Sequence, residues 1–183
     1  MKIENHFEIP LPPATAWPIL MNVPQTAGCF PGASNIEQIG ADQYKGRVTV
    51  KLGPLTLVFS GTLRVDSRDD TAHSATVKAQ WAEVKGRGNA TTVTRFTLQE
   101  HGSGTRVTLQ SDLQLAGQVA QYGRGAGMIS EISAQLISVF AENLRARVQA
   151  THGGGSPTPE TPATAEISGL TLFAKALTNR LKR

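Results

Sequence analysis

The side chains most able to do chemistry are few, and they are scattered along the chain. There are four histidines and one cysteine, and no histidine has a second His or a Cys at the spacing of metal ligands. Because zinc needs three or four convergent ligands, we expect no metal site and interpret the histidines as surface residues. A nucleophilic thiol needs a base and an orienting group. The sequence identifies neither for Cys29, which we interpret as a small buried residue.

Three carboxylates, Asp112, Glu131 and Glu142, are candidates for acid–base work. No two of them are paired by spacing, so each is better interpreted as a solvated surface residue. We therefore predict that the protein is not an enzyme.

A glycine-rich segment, YGRGAG at 122–127, lies between a predicted strand and a predicted helix. A phosphate-binding loop needs Gly or Ala where this chain has Met128, and it needs a strand–helix–strand unit that is missing here. Two interpretations remain for Gly123, Gly125 and Gly127. They form a flexible start to the helix, or they form a gate that moves to admit a ligand.

The net charge of +4 is concentrated at the C-terminal end. Residues 1–150 are close to neutral and lack a basic stripe with aromatics, so we expect no nucleic-acid partner. The N-terminal MKIENHFEIP has acids where a signal peptide has an apolar run, and a single cysteine favours a reducing compartment. No apolar run approaches the roughly 20 residues of a membrane-spanning helix. These observations predict a cytoplasmic protein.

Hydrophobic periodicity predicts the order of the elements. Alternation predicts a first strand at 2–9, two short helices before residue 31, and six further strands between 34 and 115, with DSRDD at 66–70 as a turn. The period then changes to 3.6, which predicts a long amphipathic helix from about Gln118 to Gln149. The expected fold class is α+β, a curved antiparallel sheet of about seven strands around a long C-terminal helix.

Small residues on the inward side of the strands predict a cavity. Gly46, Gly61, Ala75 and Ala79 remove bulk from the space between sheet and helix, and ligand sites are usually concave and apolar. The residues expected to line this space, and to bind a ligand, are Leu57, Phe59, Trp81, Phe96, Leu109, Met128, Ile132, Leu136 and Phe140. Each of them could instead be ordinary core.

The order of several motifs resembles the carbon monoxide dehydrogenase CoxG family, part of the START/Bet v1-like (SRPBCC) superfamily. The motifs are Trp17, CFPGA at 29–33, YKGRVTVKLGP at 44–54, FSGTL at 59–63, GRGNATTVTRFTL at 86–98, GTRVTLQSD at 104–112, LAGQVAQYGRGAGMI at 115–129 and FAENL at 140–144. The resemblance covers roughly residues 1–148 and implies a helix-grip fold.

The resemblance also implies a function. The family is associated with aerobic carbon monoxide oxidation, and its implied role is to bring a molybdenum hydroxylase to the cytoplasmic membrane, where electrons enter the quinone pool. The superfamily implies that a lipophilic small molecule, such as a quinone, is bound in the cavity without a covalent cofactor.

The C-terminal segment 167–183 is basic and amphipathic. Its four cations occur without an acidic residue, and its apolar residues fall on one arc of a helix. Such a helix suits the membrane interface, although docking on its own domain or on a partner protein are alternatives. The residues expected to contact the membrane are Leu170, Phe173, Lys175, Leu177, Arg180, Leu181, Lys182 and Arg183.

The predicted organisation therefore has three parts: a ligand-binding domain at 1–150, a flexible Gly/Pro/Thr linker at 151–166, and a membrane-interacting helix at 167–183. The first hypothesis is a carrier and recruitment protein, peripheral on the inner face of the cytoplasmic membrane. The alternatives are a cyclase- or aromatase-like enzyme acting on an apolar polyketide-type substrate, and a purely structural recruiter with a filled core. Polar residues deep in the cavity would favour the enzyme, and the inward set is almost entirely apolar.

Overall fold

The computed structural model describes residues 1–52, 55–124 and 126–152. Within these ranges seven strands form one antiparallel sheet in the spatial order β1-β7-β6-β5-β4-β3-β2. The strands are β1 Lys2–Ile9, β2 Ala33–Gly40, β3 Gln43–Leu52, β4 Leu55–Asp69, β5 Ser74–Glu83, β6 Gly88–His101 and β7 Gly104–Gly117. The helices are α1 Pro13–Met21, α2 Val23–Ala27, a 3-10 helix at Gln118–Arg124 and α3 Ala126–His152. The predicted α+β order of elements is confirmed.

Alternation along the strands turns one face of the sheet inward. On β3, Tyr44 is buried and Gly46 is half-buried, whereas Lys45 and Arg47 are exposed. Tyr44 lies opposite Leu63 of β4 in the antiparallel register. A slip of one residue would turn every apolar side chain of β3 toward water, so the pattern itself fixes the pairing.

The long helix α3 packs along the edge strand β1. The side-chain amide of Asn5 donates to Ser133 Oγ at 2.8 Å, and Arg145 Nε donates to the carbonyl oxygen of Glu8 at 2.9 Å. Between these contacts the rings of Phe7 and Phe140 meet edge to face with centroids 5.5 Å apart. The helix therefore follows the same direction as β1, and its second half is seated in the core.

The two short helices cover one end of the sheet and are fixed by long-range hydrogen bonds. Pro13 begins α1, a position where a missing N–H costs nothing, and Trp17 of α1 is buried. Trp17 Nε1 donates to Asp70 Oδ1 at 2.6 Å, and Asn143 Nδ2 of α3 donates to the carbonyl oxygen of Cys29 at 3.0 Å. These bonds hold α1 and α2 between the β4–β5 end of the sheet and α3.

Two local predictions are wrong. Residues 66–69 continue β4 instead of forming a turn, because Asp66 lies on the exposed face, where Lys78 Nζ of β5 pairs with it at 2.8 Å. Residues 118–124 form a 3-10 helix rather than the first turns of the long helix. Val119 is buried, and its N–H donates to the carbonyl oxygen of Arg87 at 3.0 Å, so a tertiary contact determines the local geometry.

The helix α3 ends at His152 and includes Thr151, two residues that the sequence prediction gave to the linker. The rest of the predicted linker, 153–166, and the predicted membrane-interacting segment 167–183 lie outside the described residues. The division into three parts stays a prediction.

Candidate functional site

An apolar cavity of about 260 Å³ lies between the two short helices and the inner face of the sheet. The region of α1 and α2 contributes Leu20, Met21, Val23, Thr26, Ala27 and Phe30 to its wall. The sheet contributes Ala33, Ile36, Tyr44, Lys45, Gly46, Arg47, Val48, Leu63, Val65, Val77, Trp81 and Phe96, and α3 contributes Phe140. Among the described residues of α3, Phe140 alone lines this space, and the other walls are the sheet and the two short helices.

Gly46, which lines the cavity, is paired with a second glycine on the neighbouring strand. Gly46 of β3 and Gly61 of β4 are direct cross-strand partners, so two neighbouring strands lack a side chain at the same height. A Cβ on Gly61 would lie 2.7 Å from Trp81 Cε3 and would collide with the carbonyl oxygen of Gln80. Glycine at 61 therefore permits the close approach of β5 and the indole ring, as glycines inside strands often do.

Size limits what the cavity can hold. Its volume of about 260 Å³ lies just below the roughly 300–1,000 Å³ of typical small-molecule pockets. That is enough for a one- or two-ring head group or a short acyl chain, and too little for a whole prenylated lipid. A long-tailed ligand would place only its head or part of its tail among the lining residues.

Few polar groups reach the cavity. The hydroxyl of Thr26 is already used, because it donates to the carbonyl oxygen of Ile19 at 2.8 Å. Lys45 is exposed, and its Nζ pairs with Glu37 Oε2 at 3.0 Å. Arg47 is likewise exposed, Tyr44 is 9% exposed and Trp81 is half-buried, and these residues also line the cavity.

Hydroxyl and amide groups lie elsewhere on the inner face of the sheet. Thr94 Oγ1 and Ser111 Oγ, on β6 and β7, are 2.9 Å apart, and Asn5 is bonded to Ser133 of α3. Thr94 is on the same side of β6 as Phe96, because strand residues two apart share a face. These four polar side chains satisfy one another in pairs, under the first half of α3 and outside the cavity wall.

One carboxylate is buried near the β5–β6 turn. The side chain of Glu83 has no exposed surface, and it accepts hydrogen bonds from Arg87 Nη2 at 3.0 Å and from the backbone N–H groups of Lys85 and Arg87. Burial acts to raise the pKa of Glu83, but these hydrogen bonds outweigh it, so the pKa lies below its ordinary value. Glu83 is therefore a charged carboxylate that anchors the turn, rather than a proton donor.

The other candidates for chemistry are the thiol of Cys29 and the side-chain types that bind metals. Burial raises the pKa of the Cys29 thiol, which opposes formation of a reactive thiolate. Among residues 1–52, 55–124 and 126–152, no group of three His, Cys, Asp or Glu side chains is placed to hold a metal ion.

Comparison with known families decides the classification. The profile of the carbon monoxide dehydrogenase CoxG family matches residues 6–149. The chain belongs to the CoxG family. The resemblance expected from the motifs is confirmed, and the match ends close to the C-terminal end of α3. No curated protein sequence matches this CoxG family member.

Solved structures show the same fold at low sequence identity. A conserved protein from Geobacillus kaustophilus is 18% identical with a TM-score of 0.72, covering 82% of this chain and 97% of its own. The Zhui aromatase/cyclase from Streptomyces sp. R1128 is 12% identical with a TM-score of 0.56, covering 85% and 99%. Ara h 8.0201 is 12% identical with a TM-score of 0.55, covering 82% and 98%. The helix-grip, Bet v1-like fold is confirmed.

The structure brings three of the nine predicted ligand-binding residues of this CoxG family member to the cavity wall: Trp81, Phe96 and Phe140. The other six lie outside it. Leu57 is buried, Leu109 packs against the main core, and Met128 is 49% exposed, whereas Phe59, Ile132 and Leu136 are half-buried. The cavity lies beneath α1 and α2, whereas the prediction placed it between the sheet and the long helix.

Sequence reasoning missed the contribution of the short helices. Leu20, Val23, Ala27 and Phe30 recur at helical spacing, three or four residues apart, and all four line the cavity. This spacing predicts an apolar stripe on one side of the α1–α2 segment. The stripe was the available signal for a wall on this side.

The predicted gate is not part of the described wall. Gly123 belongs to the 3-10 helix, Gly127 lies in the first turn of α3 with open space around its Cα, and Gly125 lies outside the described residues. Residues 118–122, 127 and 128 do not line the cavity, and a role of the three glycines in admitting ligand stays a prediction. In the part of the chain that the structure describes, no helix is long and apolar enough to cross a bilayer.

Proposed function

We propose that this CoxG family member is a carrier and recruitment protein that holds a lipophilic ligand in the cavity between α1–α2 and the sheet. The observation that carries the proposal is the apolar cavity itself, because the two cationic residues of its wall, Lys45 and Arg47, are exposed. A purely structural recruiter needs no such space, and close packing is the rule for protein interiors. The cavity therefore favours a carrier over a filled scaffold.

The ligand we propose is a quinone head group. Family membership links the chain by name to carbon monoxide dehydrogenase, a molybdenum hydroxylase whose electrons need an acceptor at the membrane. A ring of one or two cycles matches the cavity size, and a prenyl tail would extend past the lining residues. This proposal makes the protein a link between the hydroxylase and the quinone pool.

The ligand proposal is tested by extraction and by binding. Purified protein is extracted with organic solvent and the extract is analysed by mass spectrometry, and apo-protein is titrated with menadione by equilibrium dialysis. We expect a co-purified quinone or similar lipid and saturable binding of one menadione per chain. Gly46→Leu, which extends a side chain into the cavity, is the matched variant and should lose both signals. Absence of lipid and of menadione binding in the wild type contradicts the carrier.

We further propose that residues 167–183 attach the protein to the inner face of the cytoplasmic membrane. Their composition supports this, because each cation close to anionic lipid contributes about 1 kcal/mol and the apolar arc can insert at the interface. A chain truncated after His152 and the full chain are compared by vesicle flotation. We expect only the full chain to float with phosphatidylglycerol vesicles, and equal flotation of both chains contradicts the tether.

Two further variants separate the forces in that experiment. Replacement of Phe173 and Leu177 by Ser removes apolar contact and keeps the positive charge. Replacement of Lys175, Arg180 and Lys182 by Gln removes three positive charges and keeps the apolar residues. Conservative changes of Thr171 and Thr178 to Ser serve as the matched control. Loss of flotation in the first two variants and not in the control supports an amphipathic, electrostatic attachment.

The recruitment step is tested in cells that contain a carbon monoxide dehydrogenase-type enzyme. If the proposal holds, cells whose CoxG family protein lacks residues 153–183 should have less hydroxylase in the membrane fraction than wild-type cells. The total amount of hydroxylase should be unchanged. An unchanged distribution of the enzyme argues against recruitment and leaves ligand binding unaffected.

A cyclase-like enzyme is the second candidate. The paired side chains of Thr94 and Ser111, together with Asn5 and Ser133, place polar groups on the inner face, and an aromatase/cyclase is among the proteins with this fold. The test is turnover of an aromatic polyketide-type substrate by wild type and by Ser111→Ala. No turnover by the wild type removes this candidate.

A further inference from the structure

The short helix α2 has empty space on both of its sides. On one side Val23 and Ala27 line the apolar cavity. On the other side Gln25 lines a second, smaller groove of about 80 Å³. Thr26 lines both spaces, so the thickness of one short helix separates them. Because protein interiors are usually close-packed, a wall with a void behind it can move in a way that a packed wall cannot.

The groove lies between α2 and the last turns of α3. Its floor is formed by two buried residues of α3, Leu144 and Val148. Its rim includes Gln25 of α2 and Thr151 of α3, which are both exposed. The groove therefore borders solvent, and water can leave it when a neighbouring element moves in.

The segment that carries α2 is anchored in the core on either side of this helix. Before α2, Leu20 is buried in the main core. After α2, Cys29 is buried, and its carbonyl oxygen accepts from Asn143 Nδ2 of α3 at 3.0 Å. Between these anchors the residues of α2, Val23–Ala27, are exposed or half-buried. A shift of α2 toward α3 therefore displaces no fully buried side chain of this helix.

We propose that α2 is a movable wall of the cavity, which shifts into the groove beside α3 when a ligand larger than about 260 Å³ binds. The shift adds volume to the cavity while Leu20 and Cys29 stay in place, and it replaces water in the groove by contacts with Leu144 and Val148. The inference rests on the proposed carrier function and extends it. With α2 displaced, the tail of a long ligand lies inside the domain.

Two probes with the same ring test the proposal: menadione, which is the ring alone, and menaquinone-2, which adds a tail of two isoprene units. Binding to the full chain is followed by quenching of tryptophan fluorescence, since Trp81 lines the cavity. The wild type should bind menaquinone-2 at least about 10-fold more tightly than menadione, because the tail is buried.

Two variants fill the groove from its opposite walls. Thr151→Phe acts from α3 and Gln25→Phe acts from α2, and both residues line the groove and lie outside the cavity wall. Each variant should bind menaquinone-2 about 10-fold more weakly than the wild type, because α2 then has to be forced into a packed region. The affinity for menadione should be unchanged, because the ring fits without a shift of α2.

The neighbour of Thr151 supplies the matched control. Ala150 is exposed on α3, away from the described walls of the cavity and the groove, so Ala150→Phe should bind both probes as the wild type does. Unchanged affinity of both groove variants for menaquinone-2, or an equal loss of both probes, overturns the movable wall. A wild type that binds menaquinone-2 no more tightly than menadione also overturns it. In these cases binding of menadione by the wild type still supports the carrier. If the wild type binds neither probe, the carrier function fails and this inference fails with it.

Discussion

Gly46 and Gly61 face each other across β3 and β4, yet they have opposite tolerance for a side chain. A Cβ on Gly46 would lie 3.4 Å from Ile36 Cγ1 and 3.5 Å from the carbonyl oxygen of Ser34, which are close to ordinary contacts. A Cβ on Gly61 would collide with β5. One glycine therefore keeps a space open, whereas the other allows two strands to meet.

The first prediction is that enlarging residue 46 fills the cavity without unfolding the protein. Gly46→Ala should leave the melting temperature unchanged or raise it, because glycine inside a strand costs roughly 0.5–1 kcal/mol relative to alanine. Gly46→Leu should abolish menadione binding while circular dichroism stays native. Retained binding by a folded Gly46→Leu protein contradicts the assignment of this cavity as the ligand site.

The second prediction concerns the partner position. Gly61→Ala should lower the free energy of unfolding by about 1–3 kcal/mol, the usual cost of forcing extra volume into a packed region. The change is measured by urea denaturation, with Gly46→Ala as the matched control in the same register. Equal stability of the two variants would show that β5 moves freely away from β4.

The fold was largely predictable because its signals are local. Alternation within β3 and β4 and the turn residues between strands are visible in short windows of sequence. The prediction of a turn at 66–70 was wrong because polar residues are equally at home on the exposed face of a strand. There Asp66 is held by Lys78 from the neighbouring strand, a contact that a local window does not contain.

The position of the cavity was less predictable because it depends on long-range contacts. The hydrogen bond from Trp17 to Asp70 joins residues 53 apart, and that from Asn143 to Cys29 joins residues 114 apart. These bonds place α1 and α2 over the sheet and thereby move the ligand-sized space away from Met128. The sequence predicts which strand residues face inward. It does not predict which of these residues line the cavity.

The third prediction concerns the hydrogen bond from Trp17 of α1 to Asp70. The charge of Asp70 should stabilise this contact near neutral pH and lose its effect in acid. The hydrogen bond from Trp17 and then that from Arg68 hold the pKa of Asp70 below its ordinary value of 3.8. A depressed folded-state pKa contributes stability that is present above the unfolded value and is lost as pH falls through the folded one. The difference in melting temperature between wild type and Asp70→Asn should therefore be present at pH 6 and shrink below about pH 4.

A second variant at this position separates charge from hydrogen bonding. Asn retains a carbonyl oxygen that accepts from Trp17 Nε1, whereas Ala leaves this buried donor without a partner. The melting temperature of Asp70→Ala should therefore stay below that of the wild type in acid, at a pH where Asp70→Asn and the wild type melt at the same temperature. Parallel pH profiles for both variants would show that the Asp70 charge has no part in fixing α1.

The last prediction concerns the buried carboxylate of Glu83. Arg87→Ala removes the Nη2 donor and also the bond from Arg87 to the carbonyl oxygen of Thr56 at 3.1 Å, and a buried charge left without its partner is strongly destabilising. The melting temperature should fall much further than in Arg95→Ala, which removes an exposed arginine from β6.

The pH dependence of this loss distinguishes charge from packing. Without Arg87, burial should raise the pKa of Glu83 above the depressed value that it has in the wild type. The carboxyl of the variant then takes up its proton at a higher pH than that of the wild type. The gap in stability between the two proteins should consequently narrow as pH falls from the variant's pKa to that of the wild type.

Glu83→Gln should remove most of this pH dependence, because a neutral amide has no charge to compensate. A gap that is constant from pH 7 to pH 3 in both backgrounds would mean that Arg87 stabilises the β5–β6 turn through its contact with Thr56 and its packing alone.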